Sequence, residues 1–286
     1  MSTTATKPII VGIDGSAQAE NAARWAVEEA LRQSTALRLV YVIRTDLTGM
    51  LSADEYRQKV DEAKDALESA RRVVDRLDAS VTVQSAIAEG SPSGVLLAES
   101  RDAAMICVGS SGMGRVARSV LGSTAATLAE LAACPVGIIR RGEGTPAGEP
   151  QPWIIVPVDG RTDDSAIVVA AAAEARYRNW PVLAVGVAPH GHAAQPEKAL
   201  DDLVSDWQHR FPTLRIYPIS TTTGIAQFLH ANPDIGGVVV VEGVRSSDIA
   251  SIMGGAAHAD RAELAVLVAR QDVDQQAVAA ALPRTM

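Results

Sequence analysis

The chain has 286 residues, of which 47% are hydrophobic and 21% charged, and its formal net charge at pH 7 is −8. This length exceeds one ordinary α/β domain, so two domains are expected. The acidic balance gives no general attraction to nucleic acid or to an anionic membrane surface. No apolar run reaches the roughly 20 residues that span a bilayer. The segment Met1–Lys7 lacks the apolar core of a signal peptide, so a cytoplasmic protein is expected.

Short apolar strands alternate with helical patterns in the first half. Ile9–Ile13 is predicted as a strand, and a helix with one apolar face follows it as far as Leu31. The strand Leu37–Val42 precedes a longer helix, whose apolar stripe runs from Val60 to Leu77. Three more strands and two helices are predicted at Val81–Val83, about Ser93–Ser100, Met105–Val108, about Ser123–Ala132 and Val136–Ile139. Five strands alternating with helices predict a parallel sheet covered on both faces.

The second half repeats the first. A linker rich in Gly, Pro and charge is predicted at 142–151, and after it Ile154–Gly160 echoes Ile9–Gly15 at a constant offset in the numbering (159 − 14 = 145). The later elements follow in the same order, at Ala166–Ala175, Val182–Val185, about Leu200–Trp207, Leu214–Ile219, Ile225–His230, Val238–Val241 and Val266–Val268. We therefore predict an internal duplication with domains at 1–141 and 152–270 and a tail at 271–286.

The fourth predicted strand opens into a glycine-rich segment. Gly109-Ser110-Ser111-Gly112 follows the strand directly, and Gly122-Ser123 precedes the next helix. Glycines at the end of a buried parallel strand let backbone N–H groups approach phosphate oxygens, and the N-terminus of the following helix adds donors. This pattern predicts a phosphate site. The alternative is a flexible glycine turn without a ligand.

Three sequence features together resemble the universal stress protein family in its tandem form. They are Asp14-Gly15-Ser16, the G-x-x-G-x9-G-S spacing from Gly109 to Ser123, and Ala133-Cys134-Pro135-Val136. The resemblance covers nearly the whole chain. It implies an α/β fold of two tandem, doubly wound, parallel five-stranded sheet domains, of the adenine nucleotide alpha hydrolase-like type, with ATP and Mg bound to the first.

The resemblance also implies which residues meet the nucleotide. Asp14 would accept hydrogen bonds from the ribose or help to place a cation, Gly12 would leave room beside the strand, and the main chain of Val42 would contact adenine. The phosphates would be held by Gly109, Ser110, Ser111, Gly112, Met113, Gly114, Arg115, Gly122, Ser123 and Thr124. Two alternatives remain open: Asp14 only caps the first helix, and Arg115 with Arg118 only forms a solvated surface.

The second copy keeps Asp159 but not the glycines. At the offset of the fourth strand (242 − 109 = 133), Glu242 stands opposite Gly109 and Arg245 opposite Gly112. A carboxylate at the first of these positions repels phosphate. One nucleotide per chain is therefore predicted, in the first domain.

Remaining polar residues give little sign of other chemistry. Cys107 and Cys134 are predicted as buried free thiols, because their surroundings suggest neither a disulfide framework nor a zinc cluster. His190 and His192 lack carboxylate or cysteine partners at ligand spacing, so no metal site of their own is predicted. No lysine of a P-loop follows the glycines, which disfavours an efficient NTPase.

Three functions stay open at this point. The first is a nucleotide-dependent regulator of stress or growth state with an unknown protein partner. The second is a slow Mg-dependent ATPase, and the third is an association module without a nucleotide function. The resemblance implies that Val136–Ile139 and Val266–Val268 join the copies as an internal pseudo-dimer, and a further homodimer is expected.

Overall fold

A computed structural model describes residues 6–45, 52–78, 80–111, 121–140, 152–159, 166–187, 197–243, 245–254 and 264–270. The chain divides into two units by its contacts. The first contains Met1–Arg141 with Arg245–Ala250, and the second contains Gly142–Val244 with Ser251–Met286. Within these described ranges, no helix is both long enough and apolar enough to cross a membrane.

The first half of the chain forms one parallel sheet with helices on both faces. Its strands lie in the order β3-β2-β1-β4-β5, and all neighbouring strands are parallel. The elements are β1 (Ile9–Ile13), α1 (Ala17–Gln33), β2 (Leu37–Ile43), α2 (Ala53–Leu77), β3 (Val83–Glu89), α3 (Pro92–Glu99), β4 (Met105–Gly109), α4 (Ser123–Leu131) and β5 (Val136–Arg140).

The second half has the same architecture. Its strands lie in the order β10-β9-β6-β7-β8 and are again parallel. The elements are β6 (Trp153–Val158), α5 (Ala166–Arg178), β7 (Val182–Gly186), α6 (Glu197–Arg210), β8 (Ile216–Ser220), α7 (Ile225–Ala231), β9 (Gly237–Glu242), α8 (Ser246–Met253) and β10 (Leu264–Ala269). The α/β fold of parallel five-stranded sheets is thereby confirmed.

The strand registers support the duplication. Ile9 lies opposite Met105 in the first sheet, and Ile154 lies opposite Val238 in the second. The first and fourth strands are therefore separated by 96 positions in the first copy (105 − 9) and by 84 in the second (238 − 154), a difference of 12. The two offsets read from the sequence differ by the same amount (145 − 133 = 12).

The helices on both faces of the first sheet pack side chains against its strands. A Cβ on Gly137 of β5 would lie 3.1 Å from the ring of Trp25 in α1, so this glycine makes room for the indole. On the other face, Leu96 of α3 reaches β1. Burial of each large apolar side chain contributes about 1.5–3 kcal/mol. The largest fully buried side chains of this sheet are Ile9, Ile10, Leu37, Leu39, Ile43, Ile106, Ile138 and Ile139.

Three elements differ from the sequence-based expectation. β3 occupies Val83–Glu89 rather than Val81–Val83, because it is the edge strand of its sheet and its residues are exposed or half-buried instead of forming an apolar run. α2 begins at Ala53 rather than near Val60, since its first turns are polar on every side. α8 lies where only a degenerate glycine motif was expected.

Each copy buries a glutamate in the helix after its first strand. Glu29 in α1 and Glu174 in α5 are equivalent positions of the two copies, because they are separated by the same offset as the first strands, and both are at most 1% exposed. Arg32 pairs with Glu29, and Arg178 Nε donates to Glu174 Oε2 at 2.9 Å. The Arg178 side chain is 4% exposed, against 22% for Arg32. The second pair is therefore much more shielded from water.

We expect Arg178→Met to lower the free energy of unfolding by about 3 kcal/mol, because the buried carboxylate of Glu174 loses this cation. Arg32→Met is the matched control. Its loss should be clearly smaller, because water reaches that pair more readily. Urea unfolding followed by circular dichroism measures both, and equal losses would contradict the prediction.

Candidate functional site

Asp14 shapes the turn that leads from β1 into α1. Its Oδ1 accepts a hydrogen bond from the Ser16 N–H at 3.0 Å, and Gly15 between them has a φ of +83°. The cap of α1 is Ser16, whose Oγ accepts from the Ala19 N–H at 3.2 Å. The structure thus gives the capping role to Ser16, and Asp14 lies half-buried at the carboxyl edge of the sheet.

Gly109 and Gly12 are required by packing. A Cβ on Gly109 would lie 2.8 Å from the backbone carbonyl carbon of Gln18, so the glycine lets the first turn of α1 approach β4. A Cβ on Gly12 would lie 2.9 Å from Leu96 Cδ1 and 3.2 Å from Val108 Cγ1. On that side of β1, Gly12 makes room for these two side chains.

The glycine-rich segment is closed at its base. The Ser110 N–H donates to the Ile139 carbonyl at 2.9 Å, and the Gly122 N–H donates to the Ser110 carbonyl at 2.7 Å. These bonds bring Gly109 and Ser110 next to Gly122 and the start of α4. Ser110 is buried and Ser111 is half-buried.

Part of the predicted phosphate site lies outside the described residues. This applies to Gly112, Met113, Gly114, Arg115 and Arg118, for which the sequence-based prediction stands alone.

The helix α4 begins at Ser123, as expected, and its cap is Gly122. A glycine has no side chain that can accept hydrogen bonds from the first-turn amides. The other three α-helices of this half have serine caps that do so, namely Ser16, Ser52 and Ser91. Ser123 is exposed and Thr124 is half-buried. Because Gly122 bonds to Ser110, the positive N-terminal end of α4 adjoins the carboxyl end of β4.

Val42 lies just beyond the ladder between β1 and β2. The Gly90 N–H donates to the Ile43 carbonyl at 3.0 Å, so the main chain of Ile43 faces β3. Because the main-chain groups of successive strand residues alternate in direction, those of Val42 face β1. The register with β1 ends at Ile13 opposite Tyr41. Val42 therefore lies one residue beyond the last registered pair.

Tyr41 is a polar residue near Asp14 that the sequence reasoning did not single out. Its pKa is raised above the ordinary value, first by burial and then by the Glu62 carboxylate. Lys59 lowers this pKa and Asp14 raises it, so the phenol lies within electrostatic reach of both. The hydroxyl stays neutral at physiological pH. In the sequence, Tyr41 could have been found as the polar residue immediately before Val42.

Arg140 was also missed. Gly109 lies opposite Ile139 in the register of β4 and β5, so Arg140 follows at the position opposite Ser110. This places a half-buried cation at the carboxyl edge, on the strand beside the glycine-rich segment. A basic residue directly after an apolar strand was the available signal.

The corresponding edge of the second copy carries a carboxylate, Glu242, and also keeps a cation, Arg270, at the position equivalent to Arg140. β9 ends at Glu242, which takes the register position of Gly109, and Gly243 follows with a φ of +60°.

Two simpler expectations concern thiols and metal ligands. Cys107 and Cys134 are both buried, as predicted. Among the residues whose positions are described, no three or more His, Cys, Asp or Glu side chains are grouped as metal ligands.

Comparison with known proteins identifies the family. The model described as the universal stress protein family matches residues 5–140. A universal stress protein of Mycobacterium tuberculosis is 40% identical over 267 residues, which are 93% of this chain and 97% of the relative. The chain belongs to the universal stress protein family.

Further relatives agree with this membership. Another universal stress protein of M. tuberculosis is 38% identical over 213 residues, covering 73% of this chain and 75% of its own length. The crystal structure of a universal stress protein from Archaeoglobus fulgidus has a TM-score of 0.69 at 12% identity and covers 94% of this chain and 97% of its own. The resemblance to the tandem form of the family is therefore confirmed.

The two packing glycines should respond differently to substitution. We expect Gly109→Ala to lower the free energy of unfolding by about 1–3 kcal/mol, because its Cβ meets backbone that must shift. Gly12→Ala should cost less, since the nearest atom is a terminal methyl of Leu96, which can rotate away. Urea unfolding without added ligand measures both losses, and a larger loss for Gly12→Ala would contradict the prediction.

Proposed function

We propose that this universal stress protein binds ATP with Mg, one nucleotide per chain in its first copy, and acts as a nucleotide-dependent regulator. The observation that carries the proposal is the closure of the glycine-rich segment by the 2.7 Å bond from Gly122 to Ser110. That bond brings the amides at the start of α4 to the end of β4, in the sheet whose edge also holds Asp14. Ligands of open parallel sheets bind beyond this edge.

The phosphates have suitable donors in this arrangement. The first-turn amides of α4 follow a glycine cap, and a helix N-terminus attracts anions through its amides and its dipole. The Ser123 and Thr124 hydroxyls are further donors at the same end. Arg140 adds positive charge on the neighbouring strand, which favours a polyphosphate over a neutral ligand.

The nucleoside end fits the strands on the other side. β2 and β4 both neighbour β1, so the ends of the three strands extend over roughly 10 Å of the sheet edge. Val42 on β2 offers its main chain to the base, and Asp14 on β1 offers its carboxylate to the ribose. Carboxylate and phosphate oxygens are ligands that Mg²⁺ prefers, so Asp14 is also the group that would help to hold the cation. The cation would neutralise phosphate charge.

The second copy is proposed to bind no nucleotide at the equivalent edge. The Glu242 carboxylate occupies the register position of Gly109. Its negative charge opposes a polyphosphate. The amides and hydroxyls of the first copy suit the binding and orientation of a nucleotide. Occupancy of this site would then report the nucleotide level to a regulatory partner.

We expect Asp14→Asn to raise the Kd for MgATP about tenfold, because one charge-assisted interaction is lost. An asparagine oxygen can still accept from the Ser16 amide, so the turn is kept. Asp159→Asn is the matched control in the second copy and should leave the Kd unchanged. Isothermal titration calorimetry measures the affinities and should give one site per chain.

The same material allows an independent check. ATP at 100 times its Kd should stabilise the unit that binds it by about 2.7 kcal/mol, which is measurable by urea unfolding. Absence of binding by the well-folded wild-type chain would contradict the proposal. So would a loss of binding in Asp159→Asn alone.

A further inference from the structure

The first ten residues of α2, Ala53–Glu62, stand outside the core of their sheet. None of these residues is buried, whereas Ala63 and Leu67 in the following turns are. We call this segment the α2 extension, and at 1.5 Å per residue it is about 15 Å long. Because α2 connects two parallel strands, β2 and β3, its N-terminus lies at the carboxyl edge of the sheet. This is the edge at which Asp14 and Val42 lie.

The α2 extension is anchored to the sheet by a side-chain hydrogen bond. Tyr56 Oη donates to Glu89 Oε1 at 2.6 Å, and Glu89 is the last residue of β3. Within the helix, Ser52 and Glu55 form a capping box. The anchor fixes the exposed N-terminal turns of α2 against the end of β3.

The anchor lies beside the position proposed for the base. Glu89 is opposite Ile43 in the register of β2 and β3, and Val42 is the preceding residue of β2. With strands about 4.8 Å apart and successive Cα atoms 3.8 Å apart, the Cα atoms of Glu89 and Val42 are about 6 Å apart. One turn after Tyr56, Lys59 lies within electrostatic reach of Tyr41. The α2 extension thus borders this end of the site.

The internal duplication supplies a second, independent observation. Leu37 lies opposite Val83 in the first copy, and Val182 lies opposite Ile216 in the second. The connection from the second to the third strand is therefore longer in the first copy, where the paired residues are 46 positions apart (83 − 37), than in the second, where they are 34 apart (216 − 182). The longer connection occurs in the copy that keeps the glycine motif, while the other copy carries Glu242.

We propose that the α2 extension is the base-side wall of the ATP site and that Tyr56, bonded to Glu89, is the positioning residue that holds this wall. The inference rests on the function proposed above and adds to it the element that meets the base. A wall that is already in place does not have to be ordered when ATP binds. The hydrogen bond therefore raises affinity for ligands that carry a base.

The test compares MgATP with inorganic tripolyphosphate, which has no base. Tyr56→Phe removes the hydroxyl, and we expect the Kd for MgATP to rise about three- to tenfold, the effect of one hydrogen bond. The Kd for tripolyphosphate should stay unchanged. Isothermal titration calorimetry with the full-length chain measures both, and urea unfolding verifies that each variant is folded.

Variants of the partner and of a neighbour make the test specific. Glu89→Gln keeps an acceptor oxygen and should bind MgATP like the wild type, whereas Glu89→Leu should show the same loss as Tyr56→Phe. The double variant Tyr56→Phe/Glu89→Leu should lose no more than either single variant. Arg57→Ala is the control within the α2 extension, because the Arg57 side chain is 74% exposed and pairs with Asp54.

The outcomes separate this inference from the proposed function. If the wild type binds MgATP and Tyr56→Phe binds it equally well, the proposal that the α2 extension forms this wall is wrong and the proposed function stands. An equal loss for tripolyphosphate would also overturn the wall, since the effect would then not belong to the base. A wild-type chain that binds no MgATP overturns the proposed function, and the wall with it.

Discussion

The hydrogen bond from the Gly122 N–H to the Ser110 carbonyl is the contact on which the proposed site depends. It closes the glycine-rich segment at its base, so the chain returns to the strand end that it left and starts α4 there. Because the strands of the sheet are parallel, the carboxyl ends of β1, β2 and β4 lie at the same edge. Although they are well separated in the sequence, the first and last parts of the motif become neighbours through this bond.

Glycines of a binding motif also serve the fold. Gly109 allows the first turn of α1 to lie against β4, and Gly12 accommodates Leu96 and Val108. A loss of function after substitution at Gly109 would therefore combine a packing defect with any loss of phosphate contact. Asp14 is the more informative position, since an asparagine there retains the hydrogen bond to the Ser16 amide while the charge is removed.

The sequence predicted those parts of the fold that follow from apolar pattern. β1, β4 and β6 are buried runs, and the start of α4 at Ser123 follows from its place after a glycine. Polar elements were harder to predict. The first turns of α2 have no apolar stripe, although the Ser52–Glu55 capping box marks their start, and the contact of Tyr56 with Glu89 depends on a strand register that local sequence does not contain. In α8, the buried Ile249, Ile252 and Met253 have helical spacing, which the search for glycines overlooked.

The two copies separate the demands of folding from those of binding. Both keep a buried glutamate at the equivalent position, Glu29 in one and Glu174 in the other, and each glutamate pairs with an arginine of its own helix. They differ at the carboxyl edge, where Glu242 takes the place of Gly109, and in the length of the connection after their second strand, which spans 46 positions from Leu37 to Val83 but 34 from Val182 to Ile216. Since the second copy forms the same five-stranded sheet with the shorter connection, the sheet itself does not need the extra length. In the proposed function, that extra length serves the base of ATP beside Val42.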